Sequence, residues 1–210
     1  LNSWGLRPPL YLGYIMAISS PANSAIDICS RALILVGAEP ITSFDDDTTE
    51  ALIAGNMYED IARTNLTSTR WRFSANQAVL NRLTDAPTGR FEAAYQLPDY
   101  LFVHAVTVRD LQIEYNIYGN KIFCDASPTD ELVVDFTYRA SEVDWPSYFS
   151  VCVEYAMAVV FATALIRDPS LAGLMESQYT RLLAKARSTD SQQQTTRKVT
   201  TSRFITNRRS

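Results

Sequence analysis

Histidine occurs once in this chain of 210 residues, at His104, and cysteine only three times, at Cys29, Cys124 and Cys152. The thiols are far apart, odd in number and free of CxxC or Cys/His spacing, so neither a disulfide framework nor a zinc site is written in the sequence. They read as small buried apolar side chains of a reducing compartment. His104 lies in an alternating run, away from any thiol in sequence, which weighs against a Cys/His nucleophile. Glycine is scarce too: seven residues leave little material for phosphate-cradling loops, and no Walker, dinucleotide, HExxH, GxSxG or EF-hand pattern is present. These absences weigh against an enzyme without excluding one, and no cofactor or metal is expected.

Positive charge is in short supply as well. Nineteen Lys and Arg against 23 Asp and Glu give a net charge of -4, the wrong balance for a surface built to neutralise phosphates. The longest apolar stretch, Val151 to Ile166, is interrupted by Glu154 and Thr163 and falls short of the roughly 20 residues of a bilayer span. It reads as a buried bundle helix, and no membrane partner is expected. What remains is ordinary globular composition, 47% hydrophobic and 20% charged, enough to bury one substantial core.

Residues 1–23 read as a flexible leader, because Met16-Ala17-Ile18-Ser19 looks like a natural start. The rival reading is a signal peptide, with Arg7 as its charged region, Leu10 to Ile18 as its apolar core and Ala22-Asn23-Ser24-Ala25 as a cleavage site. Ser24, with Asp27 three residues on, then forms a capping-box signature for a helix carrying Ile28, Cys29, Ala32, Leu33 and Val36 on one face. Gly37 and Pro40 stop it. The acidic run Asp45-Asp46-Asp47 precedes a second helix, with Asp47 placed to cap it and Glu50 three residues later. That helix buries Ala51, Ala54, Tyr58, Ile61, Ala62 and Leu66.

After Trp71 and Phe73 the period changes from helical to two. Val106 and Val108 alternate with polar residues, Ile113 to Tyr118 and Lys121 to Cys124 flank a Gly119-Asn120 turn, and Leu132 to Tyr138 supplies another strand. Helices return after Trp145-Pro146; the last follows Asp168-Pro169-Ser170, with Leu171, Leu174, Met175, Tyr179, Leu182 and Ala186 on its apolar face. The expected fold class is α+β: a helical bundle with an inserted small antiparallel β-subdomain and an extended C-terminal arm. In that division 24–190 is the body, with helices in 24–75 and 147–190 and the β-subdomain in 91–139, and 191–210 is the arm. The arm holds five cations and no acid, hence +5, which leaves -9 on residues 1–190.

Three constellations invite a chemical reading. Asp45, Asp46, Asp47 and Glu50 have the residue types of a glycoside hydrolase carboxylate pair or a cation site, and a solvated helix-capping turn explains the same residues without special geometry. Trp71, Phe73, Tyr95, Tyr100, Trp145, Tyr148 and Phe149 have the rings of a stacking platform but no interleaved cations, which favours packing between helices and sheet. Arg197, Lys198, Arg203, Phe204, Ile205, Arg208 and Arg209 of the arm combine charge with apolar anchors, the pattern of a segment that orders on a protein partner. Plain disorder and DNA contact are the competing readings, and the acidic body opposes the latter.

The stretch Arg31-Ala-Leu-Ile-Leu-Val-Gly-Ala-Glu-Pro-Ile-Thr-Ser-Phe-Asp-Asp-Asp, followed by Thr69-Arg-Trp-Arg-Phe-Ser-Ala, resembles the opening of tail tubular protein A, the head-to-tail adaptor family of short-tailed phages. Tyr95-Gln-Leu-Pro-Asp is similar to the family's Tyr-x-Leu-Pro before the sheet, and Tyr138-Arg-Ala with Trp145 to Ile166 to its return to helix; the likeness runs over about 24–190. Ser74, between Phe73 and Ala75, departs from the pattern. The resemblance implies a structural virion protein without enzymatic activity, assembled in the host cytoplasm into a ring, a dodecamer, at the portal vertex of the viral tail. Its implied partners are the portal protein on one face, the tail nozzle protein of tail tubular protein B type on the other, copies of itself, and double-stranded DNA in transit during ejection. The arm residues named above are then candidate portal or subunit contacts. The alternatives are a virion-associated glycan hydrolase using the acidic turn and a DNA-binding connector.

Overall fold

The computed structural model of the protein describes residues 21–84 and 89–193. Most of the leader lies outside the described residues, and so do Arg197, Lys198, Arg203, Phe204, Ile205, Arg208 and Arg209.

The first helix, α1 (Ala25–Leu35), starts where Ser24 Oγ accepts the Asp27 amide at 3.1 Å, while the Asp27 carboxylate turns back onto the Asn23 amide at 3.3 Å. Its end is a Schellman turn: Gly37, at φ +77°, bonds Ile34 O and Ala38 bonds Leu33 O. α2 (Thr49–Thr67) is capped by Thr48, whose hydroxyl accepts the Ala51 amide at 3.2 Å, and not by Asp47. The carboxylate that acts in this turn is Asp46, which accepts the amides of Thr42 at 2.9 Å and Ser43 at 3.0 Å and thereby closes the loop before the helix. α2 stops at Thr67, so Trp71 and Phe73 stand on the corner that follows rather than in the helix.

The centre of the bundle is α3 (Ser147–Phe161), continued by a π turn over Ala162–Ile166. α1, α2 and α4 (Pro169–Ser191) all pack on it. Phe149, Cys152, Val153, Met157, Ala158 and Phe161 are fully buried, each large side chain contributing roughly 1.5–3 kcal/mol of transfer free energy. Because the helix begins at Ser147, Ser147–Ile166 is 20 residues long and apolar enough to cross a membrane by length and composition, longer than the sequence interval suggested. Half of that stretch is buried inside the bundle. At its end Arg167 takes the left-handed conformation, φ 58°, and Asp168 caps α4 through the Ser170 and Leu171 amides. On α4 Met175 and Ala186 are buried and Leu182 half-buried, whereas Leu174 faces solvent.

Between the helical halves lie two antiparallel sheets rather than one. The strands are β1 (Ala75–Val79), β2 (Ala93–Gln96), β3 (Phe102–Val108), β4 (Leu111–Gln112), β5 (Tyr115–Tyr118), β6 (Lys121–Cys124) and β7 (Leu132–Thr137). They pair in the orders β1-β7-β3-β4 and β2-β6-β5. β1 and β7, the strands that leave and rejoin the bundle, are neighbours, which closes the subdomain at its root. Past β1 the chain changes sheets: the Leu80 amide bonds Leu132 O, then the Leu83 amide bonds Ala94 O and the Gln96 amide bonds Asn81 O, covering the outer side of β2. The turn between β3 and β4 places Arg109 and Asp110 at φ 50° and 66°, the geometry a two-residue hairpin demands, and Arg109 is tied to Asp130 at 2.9 Å. The subdomain has its own core of Tyr95, Val106, Ile122, Cys124, Leu132 and Val134, and Tyr138 packs against both cores.

Candidate functional site

Of the acidic residues that suggested chemistry, Asp46 holds the fold, while Asp45, Asp47 and Glu50 line the surface around it. Asp46 is locked to Thr42 and Ser43, and the backbone amides of those two residues hold its carboxyl below the usual range. A general acid needs the opposite shift. Phe44, Asp45, Asp47, Thr48, Thr49 and Leu52 surround it in a shallow surface depression. Among the described residues no group of three or more His, Cys, Asp or Glu side chains is placed to hold a metal ion.

The thiols are equally occupied. Cys29, Cys124 and Cys152 are free and buried; burial pushes Cys29 up to about 12 and Cys124 and Cys152 up to about 11, far from the thiolate form. His104 bonds Thr137 Oγ1 at 2.8 Å and lies against the Phe102 ring. Burial, then the nearby Arg70, lowers its pKa. The aromatic residues divide between the two cores. Phe149 meets Trp71 at 5.1 Å, Phe73 at 4.8 Å and Trp145 at 4.8 Å inside the bundle, while Tyr95 is buried in the β-subdomain core and Tyr100 is packed against it. With Trp71, Tyr95 and Phe149 buried, these rings are not a platform for bases or sugars.

Two polar clusters fix the β-subdomain to the bundle, and sequence reading did not find them. Arg139, just after β7, bonds Glu59 of α2 at 2.9 Å and Glu142 at 2.6 Å, with its guanidinium 5.2 Å from the Trp145 ring centre; Tyr58 donates to Glu142 at 2.9 Å. The Arg139 hydrogen bonds lower the Glu59 pKa. Burial alone drives Glu142 up, but Arg139 and Tyr58 outweigh it and the net shift is downward. In the second cluster Asp190, buried near the end of α4, accepts the Arg72 amide at 3.2 Å and the Tyr148 hydroxyl at 2.8 Å. The signal for both was present only as charged residues beside strand and helix ends, and the separations of 80 residues between Glu59 and Arg139 and 118 between Arg72 and Asp190 hide the pairing.

The surface of the β-subdomain has a different character. Among the described residues β4 ends the first sheet and β5 ends the second, so one continuous stretch, Leu111 to Tyr118, forms the outer edge of both. Leu111 is 72% exposed, Tyr118 56% and Ile117 38%. Glu114 is the only charge in the stretch. A depression runs beside it, lined by Phe91, Gln112, Ile113, Glu114, Tyr115 and Asn116.

The described residues form an α+β body in which Asp46, Glu59, Arg139, Glu142 and Asp190 serve packing and which exposes apolar side chains along a strand edge. A model of the tail tubular protein family matches residues 24–196, and the chain belongs to that family. It is accordingly a structural protein of the phage tail. No curated protein matches the chain.

Proposed function

We propose that the protein is the ring-forming head-to-tail adaptor of a short-tailed phage, joining the portal protein to the tail nozzle protein and forming part of the channel through which DNA is ejected. The observation that carries the reading is the family match, which spans both helical halves and the β-subdomain as one unit, residues 24–196. The charge distribution agrees with it. Residues 1–190 carry -9, so a lumen built from this body repels the DNA backbone and lets it pass. Ring closure needs two different patches per copy, and the chain offers distinct surfaces on its helical and its β halves. The adaptor acts through binding alone and needs no cofactor; the arm, with Arg197, Lys198, Arg203, Phe204, Ile205, Arg208 and Arg209, supplies a portal or subunit contact. No observation favours a glycan hydrolase: Asp46 is spent on loop closure, and backbone bonds lower its pKa, the opposite of what a general acid needs.

Reconstitution tests the reading. Purified chain mixed with the portal protein of the same phage is expected to co-sediment as a discrete complex and then to recruit the nozzle protein. Failure to bind the matched portal under any salt condition contradicts the adaptor role.

A further inference from the structure

We infer that residues 198–206 of one copy add as a strand to the open edge Leu111–Tyr118 of the next copy, in the ring proposed above, on which this inference rests. Antiparallel pairing alternates bonded and non-bonded pairs. On one side of β6 the Leu97 amide already bonds Asn120 O, so Lys121 and Phe123 face β5, where they pair with Tyr118 and Asn116. The backbone N–H and C=O of Tyr115 and Ile117 therefore point outward from the last strand of the sheet. Such an edge is ordinarily blunted by Lys, Pro or a bulge. Tyr115-Asn116-Ile117-Tyr118 has none of these, and Ile117 and Tyr118 are exposed on it.

The arm has the matching chemistry. Lys198-Val-Thr-Thr-Ser-Arg-Phe-Ile-Thr206 is rich in β-branched residues, contains a phenylalanine, and has neither proline nor glycine. Strand addition draws affinity from main-chain bonds and specificity from a pocket for alternate side chains; the depression between Phe91 and Tyr115 lies beside the edge and suits Phe204. Glu114 makes no ion pair among the described residues, and an arm of +5 meets a chain that carries -9 over residues 1–190.

Reach and ring closure together bear on which copy is met. The Asp190–Arg72 bonds pin the end of α4 at the root of β1. The edge lies three strand spacings away across β7, β3 and β4, ~14 Å, and as much as ~20 Å further out along β3. Six residues from Gln193 to Val199 span at most ~20 Å, short of the far end of the edge at ~25 Å, and closure of a ring requires that the edge met be a neighbour's. Arm and edge are two different patches, as a heterologous ring contact requires.

Hydrogen exchange on the full chain, with assembly state read in parallel by native mass spectrometry, tests this. In rings, alone or on the portal, the amides of Tyr115 and Ile117 are expected to exchange at least about tenfold more slowly than in the full-length Ser202→Pro, Phe204→Asp variant, and to lose that protection on dilution to monomers. Rings with a fast-exchanging edge overturn the strand addition while leaving the adaptor reading intact. Protection that survives in the variant or in diluted monomers also overturns it. A chain that never leaves the monomeric state, even with portal, overturns both.

Discussion

Arg139 is the residue on which the junction of the two halves depends. Its guanidinium joins α2, the end of β7 and the turn before α3, and its partners Glu59 and Glu142 both have lowered pKa values. Arg139→Met leaves Glu142 half-desolvated without its cation. Loss of a partner from a fully buried pair costs roughly 3–5 kcal/mol; Glu59 is 47% exposed, so a loss of about 2 kcal/mol at neutral pH is expected in urea titrations. The pH dependence has a definite sign. A carboxylate with a lowered folded pKa stabilises above its unfolded value and loses that contribution as pH falls through the folded one. The penalty of Arg139→Met is therefore full at pH 7 and shrinks below the ordinary glutamate value of 4.5.

Glu154 on α3 behaves in the opposite sense. It is buried, its bond to Arg31 is 3.5 Å long, and desolvation raises its pKa. An acid with a raised folded pKa gains stability as pH falls and loses it as pH rises through the folded value. Glu154→Gln is expected to be no less stable than the parent at pH 7, and the parent is expected to gain on the variant as pH falls toward 4.5. A variant clearly less stable at pH 7 means that the Arg31 bond outweighs the burial cost.

At the scale of elements, α4 is held at its start by a cap and at its end by a buried acid. Asp168→Ala removes the bonds to Ser170 and Leu171 and is expected to cost about 1 kcal/mol. Arg167→Gly, at φ 58°, relieves a left-handed residue and is expected to stabilise by up to about 1 kcal/mol. Thermal unfolding of the two variants, with shifts of opposite sign, checks both.

The helices and their buried faces were legible because 3.6-residue periodicity and capping residues are local. The face Ile28, Cys29, Ala32, Leu33 on α1 is buried as its spacing requires. The Gly119-Asn120 hairpin was legible for the same reason, since Gly119 adopts φ 62°. What was not legible depended on partners distant in sequence. Period-two runs mark strands but not their order, so the split into two sheets and the open edge at Leu111–Tyr118 appear only with the pairing. β1 escaped notice because Ala-Asn-Gln-Ala-Val has little hydrophobic alternation; β7 supplies its strand character. The cap of α2 fell one residue from Asp47 because Thr48 takes the extended backbone that a cap requires.

At the scale of the whole molecule, the two cores share Tyr138 and are clamped by Arg139 and by Asp190. These contacts make the body a firm unit, and the strand edge proposed for assembly lies on its β-subdomain. In the adaptor proposed above, function lies in copy number and geometry, and the chain is a member of the tail tubular protein family.

Native mass spectrometry of the full chain, alone and after addition of matched portal protein, tests the adaptor reading. A single closed ring, a dodecamer, is expected to form alone or on the portal, with no bound cofactor mass. A chain that remains monomeric beside its portal, or that grows into open polymers of no fixed size, contradicts it.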